Sequence, residues 1–358
     1  MIDFCDFLLY YTSMSFSVAI IGLPNVGKST LFKALTKIPV DIAPYSFTTI
    51  HPNIGVVVVP DERLEKIAAI VRPEKTTPTI IEFVDIAGLV KGAHKGEGLG
   101  NQFLAEIRNC DSILEVTRLF SDSNIENVLG EINPEKEVEI VKIELLMKDL
   151  ETLENLIGKL EKEAKSNDKK DIKKLTVAKK INSAVSDGKL ISEIDLTDEE
   201  KKEIKEFQFL TQKPIFYILN ANGKTTCSSF PFKHLIMNLK DEEEISELSE
   251  SEAKELNLRT HLDQLITSCY TILDLITFFT VAGGKETRAW TLKKGSNAHQ
   301  AGGCVHSDFE EKFIRAEVIP WQKLVEVRGW KEAREKGLIK TVGKDYIVND
   351  GDIIEFKI

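Results

Sequence analysis

Residues 22–30 have the residue types and the spacing that bind phosphate groups. They read GLPNVGKST and contain the pattern G-x-x-x-x-G-K-[ST]. Its glycines let the backbone curve around a phosphate, and exposed N–H groups at the start of a helix supply positive potential. Lys28 adds a point charge, and the Ser29 hydroxyl suits a magnesium ion. The loop therefore predicts a nucleoside triphosphate site formed by Asn25, Val26, Gly27, Lys28, Ser29 and Thr30.

The sequence on either side of this loop supplies the elements that must position it. Residues 18–21 are apolar and predict a buried strand, and residues 31–35 predict the start of a helix. A strand, a glycine-rich turn and a helix in this order are the setting that the phosphate-binding pattern requires. A strand–turn–helix with chance glycines is the alternative, and the full match in context argues against it.

A second motif predicts the metal and γ-phosphate side of the same site. Residues 76–85 are mostly apolar and predict a strand that ends at Asp85. Residues 85–88 then read DIAG, the D-x-x-G form in which the Asp holds magnesium through water and the Gly amide meets the γ-phosphate. We assign this second switch to Gly88 and Leu89, and residues 44–50, between the two motifs, form a loop with the hydroxyl expected of a first switch.

The base-reading position departs from the guanine pattern. Residues 213–220 predict an apolar strand that ends at Asn220, where GTPase-type domains carry N-K-x-D. Residues 220–223 read NANG, so the Lys and the Asp are both missing. A site that lacks a partner for a polar edge of its ligand discriminates strongly, and the loss of the Asp removes the main preference for guanine. A plain strand end is the alternative interpretation of Asn220.

Several segments resemble the Obg-like ATPase family, and together they extend in family order from about residue 15 to residue 358. The matching segments are residues 22–30, 85–93, 95–103, 313–317 and 343–351. The resemblance implies an ATPase with a GTPase fold that binds the ribosome and uses Mg²⁺. It implies adenine binding by Asn220 and Ala221, and it makes Thr49 the magnesium ligand of the first switch.

The chain departs from the expected pattern at three positions. Leu89 replaces the glutamine that positions water in many GTPases, so slow intrinsic hydrolysis is expected. Asn25 could hold a potassium ion, as in related enzymes, and would then join Lys28 in catalysis; a role in stabilising the turn is equally compatible. Family members often carry Glu at the fourth base-reading position and His near position 115, where this chain has Gly223 and Glu115.

Composition agrees with a cytoplasmic chain of two or three domains. The 358 residues carry a formal charge of −10, which argues against general binding to DNA. Residues 276–358 differ, with 14 Lys and Arg against 12 Asp and Glu. The 5 cysteines are scattered without a C-x-x-C pair, which argues against a disulfide framework and a zinc site. No apolar stretch predicts a membrane span.

The chain divides by pattern into an α/β domain, a helical insertion and a C-terminal module. We predict a P-loop GTPase-type domain from residues 14–133 and 205–273, with residues 1–13 as an extension before the true start. Residues 134–204 predict an antiparallel coiled-coil hairpin, because apolar residues recur at steps of three and four. Ordinary packed helices are the alternative. The apolar positions are Ile143, Leu146, Leu150, Leu153, Ile157 and Leu160, then Ile172, Leu175, Ala178, Ile181 and Val185.

Residues 274–358 resemble the TGS domain, a β-grasp module. Lysines and arginines there could supply a patch that faces RNA, although a solvated charged face is equally compatible. These residues are Lys293, Lys294, Lys312, Arg315, Lys340 and Lys344. The leading hypothesis is a magnesium-dependent ATP switch on the ribosome, either the large subunit or the 70S particle. A GTPase in ribosome assembly and a nucleotide-sensing RNA- or protein-binding module with incidental hydrolysis are the alternatives.

Overall fold

The computed structural model describes residues 16–37, 53–86, 99–163, 169–223 and 229–358. The first half of its strands are β1 (Phe16–Ile21), β2 (Ile54–Val58), β3 (Lys75–Thr77), β4 (Ile80–Asp85), β5 (Ser112–Arg118) and β6 (Ile215–Asn220). They are followed by β7 (His234–Met237), β8 (Leu275–Ala282), β9 (Glu286–Lys293), β10 (Arg315–Pro320), β11 (Lys340–Val342) and β12 (Asp352–Lys357).

The helices alternate with the strands in the first part of the chain and then form a long pair. They begin with α1 (Lys28–Thr36), α2 (Glu62–Val71), α3 (Leu99–Asn109), α4 (Pro134–Glu163), α5 (Lys169–Ser186), α6 (Asp198–Ile204) and α7 (Leu239–Ser246). The remaining helices are α8 (Glu250–Glu255), α9 (Leu262–Ile272), α10 (Ala298–Val305), α11 (Ser307–Glu311), α12 (Trp321–Val327) and α13 (Trp330–Glu335). None of the described helices is both long and apolar enough to cross a membrane.

The first sheet has the strand order β2-β4-β1-β5-β6-β7 and confirms the predicted GTPase-type α/β domain. Only β2 runs antiparallel to its neighbour, whereas β4, β1, β5, β6 and β7 pair in parallel. The central strands are buried on both faces, because helices cover the sheet, and this explains the apolar run in β1. Parallel strands place their carboxyl ends at one edge, so the ends of β1, β4 and β6 come together there.

The helices α4 and α5 form the predicted hairpin next to this sheet. The first turns of α4 pack on the sheet through Val141 and Leu145. From Leu146 onward, α4 packs instead against α5 and against residues 190–209, which form a separate apolar cluster. The predicted seam is wrong at Ile143 and Ile172, which are 48% and 43% exposed. Ile143 precedes the part of α4 that packs against α5, and Ile172 lies in the first turn of α5.

The second sheet has the order β11-β10-β12-β8-β9-β3, and both of its faces are covered. Its hairpin β8–β9 is antiparallel, while the last strand, β12, lies parallel beside β8. This central parallel pair of first and last strands is the arrangement of a β-grasp module, as the sequence predicted. The helix α10 covers one face, and α12 and α13 cover the other.

Two elements from the N-terminal half, β3 and α2, contact this second sheet. Residues 76–85 do not form the single strand that was predicted, because β3 pairs with β9 and only β4 joins the first sheet. Pro78 lies between the two strands and cannot donate to either ladder. The helix α2 contributes Leu64 and Ile67 to the core on the α12 face. The domain boundaries remain a prediction, and α2 and β3 cross them.

Candidate functional site

The phosphate loop lies at the carboxyl edge of the first sheet, between β1 and α1. A Cβ atom at Gly22 would lie 2.3 Å from the Val116 carbonyl oxygen of β5. At Gly27 it would lie 2.5 Å from Nδ2 of Asn220. These close approaches, together with positive φ angles of 146° and 109°, explain why the loop carries glycine at both positions.

Lys28 opens α1 and turns back over the loop. Its Nζ donates to the carbonyl oxygens of Gly22 at 3.1 Å and Leu23 at 2.8 Å, and the residue is only 7% exposed. Burial lowers its pKa to about 8, although Asp85 and Glu137 act to raise it. The ammonium group is therefore already held at the loop, close to two carboxyl groups.

A hydroxyl and a carboxylate meet beside this lysine. Ser29 Oγ donates to Asp85 Oδ2 at 3.2 Å, across the boundary between α1 and the end of β4. Asp85 Oδ1 is buried and has no hydrogen-bond partner among the residues that the structure describes. Burial raises the pKa of Asp85, while the Ser29 hydrogen bond and Lys28 lower it. The Ser29 hydroxyl and the Asp85 carboxylate are hard oxygen ligands of the kind that magnesium prefers, so the pair fits a magnesium ion.

Asn220, at the end of β6, connects the phosphate loop to the start of α7. Its Nδ2 donates to the Val26 carbonyl oxygen at 2.9 Å, and its Oδ1 accepts from the Leu239 amide at 3.2 Å. The sequence predicted a contact with the base and missed this structural clamp. Ala221 is buried behind it and donates its amide to the Met237 carbonyl oxygen. Gly223 has a φ of 71°, and a Cβ atom there would meet no heavy atom of the described residues within 4 Å.

Two further residues of the predicted phosphate site, Asn25 and Thr30, lie in the described part of the chain. Asn25 is exposed with a φ of 64°, and its Nδ2 donates to the Glu126 carbonyl oxygen at 3.4 Å. Thr30 is half-buried in the first turn of α1. Thr49, Gly88 and Leu89 lie outside the described residues, as do residues 1–13. In the described parts of the chain, no group of three or more His, Cys, Asp or Glu side chains could hold a metal ion.

Beneath the loop lie two buried carboxyl groups that sequence reasoning did not connect. Glu115 is 1% exposed on β5, and burial and the nearby Glu137 raise its pKa well above the usual value. Its Oε1 has no hydrogen-bond partner in the described part of the chain. Glu137 accepts from the Arg118 amide at 2.9 Å, and burial raises its pKa to about 7. Periodicity could not reveal this pair, because its members lie on a strand and a helix.

This geometry defines the class of the protein. It is a P-loop nucleoside-triphosphate-binding domain of the GTPase type, with a β-grasp module. A family model described as 50S ribosome-binding GTPase matches residues 17–148. The model of the YchF GTPase C-terminal domain, described as a protein of unknown function, matches residues 275–358.

Comparison with known proteins gives the family. The ribosome-binding ATPase YchF of Bacillus subtilis is 42% identical, with 96% of this chain and 99% of the relative covered. The protein of the same name from Escherichia coli O157:H7 is 43% identical at the same coverage. The solved structure of the Schizosaccharomyces pombe YchF GTPase superposes with a TM-score of 0.83 at 32% identity, covering 96% of this chain and 98% of that one. The chain belongs to the YchF family.

Proposed function

We propose that this chain is a magnesium-dependent ATPase that binds the ribosome and acts as a nucleotide-controlled switch in translation or the stress response. The observation that carries the proposal is the phosphate loop with its buried Lys28, next to the Ser29–Asp85 pair. Its curated relatives bear the name ribosome-binding ATPase. ATP would be hydrolysed to ADP and phosphate.

The phosphates and the metal would share the residues around the start of α1. Backbone N–H groups of residues 25–30 and the ammonium group of Lys28 would bind the β- and γ-phosphates. Ser29 and Thr49 would ligate Mg²⁺ directly, and Asp85 would act through water. The Ser29–Asp85 distance of 3.2 Å supports this arrangement, because one ion could engage both groups. Gly88 and Leu89 would form the part of the second switch that lies at the γ-phosphate.

Adenine would bind beside Asn220 and Ala221, where the chain lacks the guanine-reading Asp. Asn220 already uses one N–H on the phosphate loop, so its second N–H is the one that could meet the base. The solved relative is named a GTPase whereas the curated relatives are named ATPases. The choice of base therefore decides between the leading function and a GTPase in ribosome assembly.

Hydrolysis would be slow without a partner, because Leu89 cannot orient water. Asn25 could supply a potassium site, since its Nδ2 faces the Glu126 carbonyl oxygen and leaves Oδ1 available. Ribosomes or K⁺ would then raise turnover. A nucleotide-sensing module with incidental hydrolysis would instead keep the same low turnover when ribosomes are added.

A nucleotide titration in the presence of Mg²⁺ tests the proposal. We expect ATP to bind at least several-fold more tightly than GTP, and Lys28→Ala to weaken ATP binding about tenfold or more. Gly223→Asp should shift the preference towards GTP, because it restores the guanine-reading carboxylate and Asp is one of the residues that tolerate a φ of 71°. Lysine at position 221 is a poor companion change, since Ala221 is 2% exposed. Tighter binding of GTP by the wild type would refute the ATPase assignment.

A further inference from the structure

Arg118, the last residue of β5, organises the loop that follows it. The side chain is 4% exposed. Its Nε donates to the Phe120 carbonyl oxygen at 3.2 Å, Nη1 donates to Ile125 and Glu126, and Nη2 donates to Asp122 and Ile125, each at 3.1 Å. A guanidinium group has five N–H donors, and each of them is used on a backbone carbonyl.

The loop of residues 119–126 reaches both sides of the nucleotide site. At its start, the Leu119 amide donates to the Asn220 carbonyl oxygen at 2.8 Å. Next, Asn222 Nδ2 donates to the Ser121 carbonyl oxygen at 3.0 Å. At its end, the Glu126 carbonyl oxygen accepts from Asn25 of the phosphate loop at 3.4 Å. The loop thus connects the base-reading segment to the phosphate loop.

The chemistry of the guanidinium group explains why this residue can hold such a loop. The Arg118 side chain bonds backbone carbonyl groups rather than a carboxylate, although its charge is near enough to Glu137 to lower the pKa of that group. The charge of Arg118 is surrounded by carbonyl dipoles, and Glu137 accepts from the backbone amide of the same residue. A lysine would keep the charge but has only three donors on a flexible stem, so it cannot bond the same carbonyl groups together.

We propose that Arg118 is a positioning residue for the nucleotide: by fixing residues 119–126, it sets the separation between the phosphate loop at Asn25 and the base-reading segment at Asn220–Asn222. The inference rests on the proposed ATP site and adds the element that holds its two halves together. Arg118 acts through Asn25 and Asn222 and has no direct contact with the substrate.

The first test is ATP titration of Arg118→Lys with Mg²⁺. We expect the dissociation constant to rise about tenfold, because the contacts on both sides of the site loosen. Arg63→Lys is the matched control: this arginine is half-buried and bonds the carboxylates of Asp61 and Asp350, away from the site. The control should lose thermal stability and keep wild-type affinity. An unchanged affinity in a folded Arg118→Lys protein would overturn the inference.

A double-mutant cycle separates positioning from general loosening. In a background with Asn25→Ala and Asn222→Ala, the two side-chain contacts of the loop are already removed, and the Leu119–Asn220 backbone bond remains. The further change Arg118→Lys should then weaken ATP binding by less than about threefold, because coupled residues are not additive. A full tenfold effect in that background would show that Arg118 does not act through these two residues, and would refute the inference.

A measurement on the wild type remains valid even if Arg118→Lys fails to fold. If an ordered loop favours ATP, then ATP must favour the ordered loop by the same free energy. Saturation with ATP and Mg²⁺ should therefore slow hydrogen exchange in residues 119–126. Protection of the phosphate loop with no change in residues 119–126 would refute the positioning role while leaving the proposed function intact. If the wild type shows no ATP binding at all, the proposed function fails first.

Discussion

At the residue scale, Lys28 gives the proposed site a pH limit. Burial lowers the pKa of Lys28 to about 8, and a triphosphate would bind the protonated form. We expect ATP affinity to be nearly constant between about pH 7 and about pH 8 and then to fall about tenfold per unit. Isothermal titration across this window measures the effect. Lys28→Ala is the control, and its weaker binding should vary little; a flat wild-type profile would contradict the assignment.

Glu115 makes a second prediction at the same scale, on stability. Its pKa is raised well above 4.5 in the folded protein, so the folded state binds more protons than the unfolded state once the pH exceeds about 4.5. The free energy of unfolding must then fall as the pH rises from about 4.5 towards the raised pKa of Glu115. Glu115→Gln removes the titration, so it should raise the melting temperature more near pH 8 than near pH 5.

The exposed carboxyl of Glu154 on α4 supplies the comparison for this experiment. Glu154→Gln should change the melting temperature little at either pH, because the charge of this exposed side chain stays in water. Thermal melts of both variants at the two pH values distinguish the cases. A gain from Glu115→Gln that is equal at both pH values would point to packing and exclude titration as the cause.

The sequence alone was enough to identify the functional residues that belong to a short motif. Lys28, Ser29 and Asp85 lie together because strand order brings two motifs to one edge of the sheet. Arg118 could not be found in this way, because its partners are backbone carbonyls that any residue would offer. The structural role of Asn220 was also hidden, since it depends on Val26 being close in space.

At the element scale, one buried aspartate fixes the base of the helical hairpin. Asp149 of α4 is fully buried and accepts from the amides of Leu210 and Thr211 at 2.9 and 2.8 Å and from the Thr211 hydroxyl at 2.7 Å. These bonds satisfy the short 3₁₀ turn Leu210–Gln212, which leads the chain back into β6. The anchoring explains why a long amphipathic pair can leave the sheet and return in register.

Removing this carboxylate should be costly, because three donors would lose their partner in a buried place. We expect Asp149→Ala to lower the free energy of unfolding by about 3 kcal/mol. Glu151→Ala on the same helix is the control: this exposed residue pairs with the half-buried Lys148, and its loss should cost less than about 1 kcal/mol. Urea denaturation of both variants gives the comparison. Equal destabilisation would show that Asp149 is not the anchor.

Helical periodicity was enough to predict α4 and α5, but no local signal predicted the fate of β3. Thr77 of β3 donates its hydroxyl to Glu286 of β9 at 2.6 Å, and the two residues are 209 positions apart. A three-residue strand bounded by prolines is too short for its sequence to indicate which strand it pairs with. The same holds for Arg63, which joins α2 to Asp350 at 2.6 Å. Such pairings depend on the whole fold.

At the scale of the whole molecule, the β-grasp module is built into the rest of the chain. Its sheet includes β3, and its core includes Leu64 and Ile67 of α2. Deletion of residues 274–358 would therefore uncover apolar surface on the remaining part, and lost ribosome binding by such a truncated protein would be ambiguous. Changes of surface charge test the same docking idea without opening this core.

The last prediction concerns ribosome docking by the C-terminal module. Lys293 and Lys294 are exposed at the end of β9, in the part of the chain whose charge is least acidic. If they contact RNA phosphates, Lys293→Glu with Lys294→Glu should weaken co-sedimentation with ribosomes about tenfold at low salt. The slope of log affinity against log salt should fall by up to about 2, since each lost phosphate contact removes about 0.9. Lys233→Glu with Lys240→Glu makes the same charge change on exposed residues of the first domain and should have little effect. Equal pelleting of both double variants would exclude this basic surface and favour the hairpin of α4 and α5.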